Sequence, residues 1–311
     1  IITNGSQQAL YLLVQMLCDP GDRVLVEQPS YFVFLELLRG LGVEPVSIPV
    51  DGAGRIDGPG LQELLEQLRL AGELDTLKLT YVMGTYANPS SRCLGETEKR
   101  TLVETLARAD LPIPVVEDMA YRELYFDRPH PARSLLAMEH LPDLPVLYTG
   151  TFTKPFATGM KVGFVASRDA SLLDIMAKIK GHQDFGTAHF NQCVLERVLT
   201  NARYAGHLEG IRPHYREKRD LLEAALRAHG LERAGWRWEQ PQGGLLLWAR
   251  APEGFDTRMG SPFHTECLRQ EILYVPGDLC FASGKPWNYV RLSFGALESE
   301  WIPEAARRFC A

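Results

Sequence analysis

Two lysines and two hydroxyl side chains lie within one short stretch in the middle of the chain. Lys154 follows Thr151 and Thr153 closely, and Lys161 comes seven residues after Lys154. Apolar runs before and after this stretch predict two buried strands, so the lysines lie in a loop between core strands. An amine there can form an imine with an aldehyde, and hydroxyls with a second cation can hold a phosphate. The pattern indicates a site for a phosphorylated aldehyde cofactor; a surface loop with two ordinary lysines is the alternative.

A second phosphate site is predicted near the start of the chain. Gly5, Ser6 and Gln7 directly precede an apolar run that predicts a buried helix. The first N–H groups of a helix lack partners within it and lie at the positive end of its dipole, so they favour an anion. Asn4 and Ser6 are also residue types that cap helices, and a simply capped helix is the alternative.

Polar and aromatic residues follow three other predicted strands, which end near residues 27, 83 and 118. These residues are Tyr31 in Pro-Ser-Tyr, Asn88 in Asn-Pro, and Asp118 with Tyr121 in Asp-Met-Ala-Tyr. Open α/β sheets bind their ligands at the carboxyl ends of the strands. We therefore expect these side chains to gather near the lysine loop, although each motif alone is also consistent with an ordinary turn, cap or core tyrosine.

Together, in this order and near these spacings, the motifs resemble those of the fold-type I pyridoxal-phosphate-dependent aminotransferases of class I/II. GSQQAL is similar to the phosphate-binding motif of the 2-aminoadipate and aromatic aminotransferase-like branch. The lysine segment resembles the family pattern Ser-x-Ser-Lys-x-x-x-x-Gly-x-Arg-x-Gly, with threonine for both serines and Lys161 for the arginine. Ala87 and Ser90-Ser91 also depart from the family's residues around Asn88.

The resemblance implies catalytic roles for three residues. Lys154 would hold pyridoxal 5′-phosphate as a Schiff base and, once freed, act as general base and acid. Asp118 would keep the cofactor's pyridine nitrogen protonated, so that the ring can absorb the electrons of a carbanion. Tyr121 would donate a hydrogen bond to the cofactor's phenolic oxygen.

The resemblance also implies binding roles. Tyr31 would stack on the cofactor ring, and Asn88 would bind both the phenolic oxygen and substrate. Arg291, in Arg-Leu-Ser-Phe, would pair its guanidinium fork with the substrate's α-carboxylate. The phosphate would be bound by Gly5, Ser6, Gln7, Thr151, Thr153 and Lys161.

Composition bounds the class of protein. The chain has 311 residues, 45% hydrophobic and 23% charged, which is ordinary for a globular protein. The net charge of −6 gives no bulk electrostatic case for nucleic acid. Six cysteines without a CxxC pair indicate reduced thiols and a cytoplasmic location. No HExxH motif, membrane span or signal peptide is seen, and DGAGRIDGPG is interpreted as a loop, not a dinucleotide fingerprint.

The resemblance predicts an α/β fold. We expect a mixed, mostly parallel seven-stranded sheet in a cofactor-binding large domain at 1–205, and a smaller α+β C-terminal domain at 206–311. A long helix over 204–229, interrupted near Pro213, would bridge the two, and other helices are expected at 61–70 and 170–180. The chain begins as if in mid-domain, so we expect that the family's N-terminal segment is missing.

The function implied is ping-pong transamination between an L-amino acid and a 2-oxo acid, in a homodimer without membrane association. Three alternatives stay open. The same site can run another reaction, such as β-elimination, decarboxylation or racemisation, because fold does not fix chemistry. The chain can be the effector domain of a GntR/MocR-type regulator, with nucleic acid bound only by an unseen N-terminal domain, or a cofactor-binding remnant without turnover. Nothing in the sequence selects the amino acid.

Overall fold

Strands and helices alternate along the first half of the chain. The computed structural model describes residues 1–284 and 286–311. Its strands are β1 (Ile2–Thr3), β2 (Arg23–Val26), β3 (Glu44–Ser47), β4 (Leu77–Met83), β5 (Val115–Asp118), β6 (Val146–Thr151), β7 (Gly163–Ser167), β8 (Arg237–Trp238), β9 (Leu246–Arg250), β10 (Val275–Pro276) and β11 (Tyr289–Ser293). Its α-helices are α1 (Gly5–Leu17), α2 (Phe32–Gly40), α3 (Gly58–Leu70), α4 (Glu96–Arg108), α5 (Ala170–Asp184), α6 (His189–Thr200), α7 (Arg203–Ala228), α8 (Pro262–Arg269) and α9 (Ile302–Phe309).

The large sheet has seven strands in the order β1-β7-β6-β5-β4-β2-β3. In this order, each neighbouring pair of strands from β6 through β5, β4 and β2 to β3 is parallel. Strand β7 is antiparallel to both of its neighbours, β6 and β1. The predicted mixed, mostly parallel seven-stranded sheet is therefore confirmed. The central strands β2, β4 and β5 are buried along nearly their whole length, because helices cover both faces of the sheet. One core cluster joins the sheet to α1, α2 and α5, and the other joins it to α3 and α4.

The parallel register brings the ends of three strands together. Asp118 at the end of β5 lies opposite Met83 of β4 on one side and Thr149 of β6 on the other. The loop that carries Lys154 starts directly after β6. These carboxyl ends therefore form one edge, as expected for an open α/β sheet.

The second sheet is antiparallel, in the order β10-β11-β9-β8, and packs against α7, α8 and α9. The aromatic rings of Trp236, Phe263 and Phe309 are in contact at the centre of its core. In β11, Arg291 pairs with Trp248 of β9. The domain division at residues 205 and 206 stays a prediction; both residues lie within α7.

Several predicted helices have different bounds in the structure. The helix expected to be interrupted near Pro213 is continuous: α7 runs for 26 residues with Pro213 inside it. Proline has a helical φ and removes only one backbone donor, and α7 also packs against α6 and α9. Helix α3 begins at Gly58, three residues before the predicted start, and α5 extends to Asp184.

No helix in the described ranges combines the length and the apolar character that crossing a membrane requires.

Candidate active site

Asp118 lies at the base of the site, with 2% of its surface exposed. The Tyr81 hydroxyl donates to Oδ2 at 3.0 Å, and the Ala120 backbone N–H donates to Oδ1 at 3.0 Å. Burial raises the pKa of Asp118 to about 6, although both hydrogen bonds act in the opposite direction. A positively charged group of a ligand beside the Asp118 carboxylate would favour the ionised form of that carboxylate. The environment of Asp118 therefore suits a carboxylate that pairs with a cationic ligand group.

Lys154 lines the same cavity and is exposed to solvent. Its Nζ is 5.9 Å from the ring centroid of Tyr121. Partial desolvation lowers the pKa of Lys154, the nearby cations Lys161 and Arg291 lower it further, and Asp118 opposes the shift. The fraction of unprotonated, nucleophilic amine is therefore larger than for an ordinary surface lysine.

Arg291 and Asn88 connect the two sheets. The Nη1 group of Arg291 donates to Oδ1 of Asn88 at 3.0 Å, across 203 residues of sequence. The guanidinium carbon lies 5.3 Å from the Phe32 ring centroid. The buried Nε of Arg291 has no hydrogen-bond partner in the described part of the chain. An unpaired buried donor on a guanidinium fits a carboxylate that arrives with a ligand.

Tyr31 and Tyr121 provide aromatic walls. The Tyr31 hydroxyl donates to Oε1 of Gln7 at 3.4 Å, and the Tyr31 ring packs edge-on to that of Phe32. Tyr121 is buried, and burial raises the pKa of both phenols, so each stays a hydrogen-bond donor at neutral pH.

The start of α1 lies against the lysine loop. Gly5 has φ +73°, and a Cβ there would lie 3.6 Å from Oγ1 of Thr153 and 4.0 Å from Oγ1 of Thr151. A Cβ at Gly163 would lie 2.6 Å from the carbonyl carbon of Gly5, so β7 and the helix start are in close contact. The two predicted phosphate-binding segments are thus brought together.

The two hydroxyls of the loop differ. The Thr151 hydroxyl donates to the Val162 carbonyl at 3.3 Å and accepts from the Thr153 N–H at 3.1 Å, so it maintains the loop. The Thr153 Oγ1 is buried and has no partner in the residues that the structure describes. An orphaned hydroxyl beside a glycine at a helix start fits an anionic group such as phosphate.

The side chain of Asn4 does not cap α1, although the sequence suggested it as a cap. Instead, its amide donates to Oε1 of Gln8 at 3.2 Å and to Oδ2 of Asp184 at 2.9 Å. The helix start therefore keeps its N–H groups for another acceptor.

A cavity of about 300 Å³ brings together Lys154, Asp118, Asn88 and Arg291. It is lined by Ser6, Tyr31, Phe32, Val33, Met83, Asn88, Asp118, Ala120, Tyr121, Lys154, Leu245, Leu246, Arg291 and Ser293. The other predicted cofactor-binding residues lie outside this lining: Gly5, Thr151, Thr153 and the exposed Gln7 and Lys161. Sequence reasoning missed Phe32 and Tyr81, because an aromatic residue in an apolar segment looks like core.

The sequence matches the model of the family "Aminotransferase class I and II" over residues 1–309. The chain belongs to the class I and II aminotransferase family. "Aromatic-amino-acid aminotransferase 1" of Thermococcus litoralis is 30% identical over 306 residues, which are 98% of this chain and 70% of that protein. The crystal structure of LysN, the alpha-aminoadipate aminotransferase of Thermus thermophilus complexed with N-(5′-phosphopyridoxyl)-L-leucine, has a TM-score of 0.84 at 30% identity, and the match covers 99% of this chain and 75% of that one.

The same comparisons favour the enzyme over the regulator. A helix-turn-helix transcriptional regulator, YdfD of Bacillus subtilis, is also similar, but at 26% identity over 94% of this chain and 57% of the regulator. This aminotransferase is thus a pyridoxal-phosphate-dependent transaminase.

Proposed function

We propose that this aminotransferase moves an amino group from an L-amino acid to a 2-oxo acid through the cavity at the end of β5, with Lys154 as the reacting amine. The observation that carries the proposal is that Lys154, Asp118 and Arg291 all line one cavity of about 300 Å³. A nucleophilic amine, a buried carboxylate and a carboxylate-binding cation are the groups that amino-group transfer requires.

The residues present fit pyridoxal phosphate. The orphaned hydroxyl of Thr153 and the helix start at Gly5 suit the phosphate, with the N–H groups of Ser6 and Gln7 and the charge of Lys161 as further partners. Thr151 contributes by holding the loop. When bound, the cofactor supplies an aldehyde and an electron-accepting ring.

Asp118 and the aromatic residues orient the ring. The carboxylate of Asp118 would keep the ring nitrogen protonated, which would stabilise its own ionised form in return. Tyr31 would stack on the ring, and aromatic stacking contributes about 0.5–1.5 kcal/mol beyond burial. The phenol of Tyr121 and the amide N–H groups of Asn88 would donate to the phenolic oxygen.

Arg291 and Lys154 act on the substrate. The guanidinium of Arg291 binds both oxygens of the α-carboxylate, with its orphaned Nε as one donor, while Asn88 holds Nη1 in place. Lys154 binds the cofactor through Nζ and, once released, moves a proton from the substrate's Cα through that same atom. Its lowered pKa favours the unprotonated amine that accepts this proton.

Reduction with borohydride tests the assignment of Lys154. Protein incubated with pyridoxal phosphate should be coloured, and borohydride should attach the cofactor to Lys154, located by peptide mass spectrometry. Lys154→Ala should bind no cofactor covalently, while Lys178→Ala, on the exposed face of α5, should behave as wild type. Label on another lysine, or none on the wild type, contradicts the proposal.

Substrate class and reaction type are tested together. The relatives are named for aromatic amino acids and alpha-aminoadipate, so we propose that these are the first amino acids to examine. A transaminase turns over continuously only when a 2-oxo acid is supplied. Product formed without an acceptor would instead indicate elimination, decarboxylation or racemisation on the same fold.

We further infer that the enzyme is cytoplasmic and acts as a homodimer.

A further inference from the structure

Asp184, the last residue of α5, is the acceptor at the centre of a tight polar cluster. The ammonium of Lys180 donates to both of its oxygens, at 2.9 and 2.7 Å. The Gln8 amide donates to Oδ2 at 2.7 Å, the Asn4 amide donates to the same oxygen at 2.9 Å, and the Gly186 N–H donates to Oδ1 at 2.9 Å. Four of these residues, Asn4, Gln8, Lys180 and Asp184, are called the α1–α5 cluster below.

The cluster lies at the start of α1. Besides its bond to Asp184, Gln8 accepts from the backbone N–H of Asn4 at 2.8 Å, so one side chain joins the residue before α1 to the end of α5. Between Asn4 and Gln8 lie Gly5, Ser6 and Gln7, the segment assigned to the phosphate. The cluster thus brackets that segment on both sides.

Within the cluster, the positive charge of Lys180 balances the negative charge of Asp184. Lys180 is 5% exposed and pairs with Asp184 four residues on. Burial alone would raise the pKa of Asp184, but hydrogen bonds from Lys180, Gln8 and the Gly186 backbone outweigh it and lower the pKa. Asp184 is therefore ionised, and Lys180 neutralises a carboxylate that otherwise repels an anion at the helix start.

We propose that the α1–α5 cluster positions the phosphate seat, the name used here for Gly5–Gln7 together with the Thr153 hydroxyl. The cluster holds the first turn of α1 where its N–H groups and Thr153 can bind the same anion. This rests on the proposed function, in which the phosphate binds at Gly5–Gln7. The residues of the cluster do not touch the reacting atoms; they act through the backbone of the helix start. Loss of a group that only stabilises the fold would weaken the binding of every ligand equally. Loss of this cluster should selectively weaken the binding of the ligand that carries a phosphate.

The test compares pyridoxal phosphate with pyridoxal, which has the same aldehyde and ring but no phosphate. The dissociation constants of both are measured by absorbance on cofactor-free wild type, Asp184→Ala and Gln8→Ala. Gln8→Ala leaves the Lys180–Asp184 pair intact and so tests the proposal if Asp184→Ala does not fold. The matched control is Glu223→Ala, which removes a carboxylate that pairs with a basic residue, Arg219, four residues earlier on α7.

Wild type should bind pyridoxal phosphate more tightly than pyridoxal. In both cluster variants the Kd of pyridoxal phosphate should rise about tenfold, the lower end of the losses in affinity seen when groups that orient metal ligands are removed, with less than about a twofold change for pyridoxal. Glu223→Ala should keep the wild-type ratio. An unchanged ratio in the cluster variants overturns the inference alone, since the wild type still shows the phosphate preference. Equal binding of both aldehydes by wild type contradicts the phosphate site itself, and the inference with it.

Discussion

At the scale of single residues, Asp118 combines a cost in stability with the role that we propose for it in the reaction. Its buried position raises its pKa from 3.8 to about 6 in the cofactor-free protein. A raised acid pKa gives stability that is complete below the unfolded value and is lost as pH rises through the folded one. By pH 8 the ionised carboxylate therefore destabilises the cofactor-free fold by about 3 kcal/mol relative to low pH, since one pKa unit is about 1.4 kcal/mol.

We predict that cofactor-free Asp118→Asn is more stable than wild type at pH 8, by up to about 3 kcal/mol in the free energy of unfolding. The neutral amide needs no solvation of charge at the base of the site. The difference should shrink toward pH 4, where Asp118 is protonated in wild type. Urea unfolding of both proteins at pH 4.5 and 8 measures this difference in the free energy of unfolding. A difference that does not change with pH contradicts the explanation. The variant should lose most of its transaminase activity, because an amide does not keep the ring nitrogen protonated.

Lys161 occupies the place where the family pattern has arginine, and it lies exposed with φ +51°. A lysine keeps the positive charge of arginine but loses the fork that binds two phosphate oxygens. We predict that Lys161→Arg retains pyridoxal phosphate longer than wild type, about tenfold if one charge-assisted hydrogen bond is gained. The measurement is the loss of cofactor colour during dialysis. Equal retention would refute the prediction.

At the scale of elements, the site depends on how closely β7 approaches the start of α1. A Cβ at Gly163 would lie 2.6 Å from the Gly5 carbonyl carbon and 2.9 Å from the Gly150 carbonyl oxygen. These are backbone atoms, which do not rotate away as a side chain does. The contact sets the distance between the phosphate seat and the lysine loop.

We predict that Gly163→Ala lowers the free energy of unfolding by about 1–3 kcal/mol, the usual cost of overpacking, and weakens cofactor binding. Gly159→Ala, in the loop before β7, is the matched control, because a Cβ there meets nothing within 4 Å. Urea unfolding and a cofactor titration compare the two variants. The interpretation fails if Gly159→Ala is as damaging as Gly163→Ala.

A buried ion pair supports β5 from behind the site. Lys99 of α4 lies 2.7 Å from Oε1 of Glu117, and both side chains are fully buried. The Lys99 ammonium also donates to the Arg133 carbonyl at 2.7 Å, and Glu117 accepts from the Leu135 N–H at 2.9 Å. Glu117 directly precedes Asp118, so this pair anchors the strand end that presents the carboxylate.

At the scale of the whole molecule, an apolar surface lies beside the phosphate seat. Phe185, directly after α5, is 96% exposed and Phe190 of α6 is 77% exposed, and Ile175 of α5 and Leu199 of α6 are exposed as well. Phe185 directly follows Asp184, which is bonded to the start of α1. Large exposed aromatic residues mark interaction surfaces, and a second copy of the chain here would lie next to the site.

We predict that Phe185→Ser combined with Phe190→Ser raises the dimer dissociation constant by about tenfold or more, since aromatic residues contribute strongly at interfaces. Sedimentation velocity over a range of concentrations measures it. Leu70→Ser is the control, because Leu70 is 81% exposed on α3, away from this surface. A monomeric wild type, or a dimer that the double variant leaves intact, contradicts the assignment.

The sequence by itself determined the family and the type of sheet. Each motif is local: a glycine before a helix, an asparagine before a proline, or a lysine between hydroxyls is readable within a few residues. The family resemblance that these motifs carry implied the mostly parallel sheet, and the carboxyl edge of such a sheet brings together the residues that follow each strand. The roles expected for Lys154, Asp118 and Arg291 therefore needed no coordinates, and the structure places all three in one cavity.

Only the tertiary structure decided which groups are free and which are already engaged. Thr151 and Thr153 look equivalent in sequence, yet within the described residues packing leaves only the Thr153 hydroxyl of the two without a partner. Asn4 looks like a helix cap but donates to Asp184, which is 180 residues away in the chain. A side chain's hydrogen bonds and pKa depend on neighbours brought by folding from distant segments, and no local pattern contains that information.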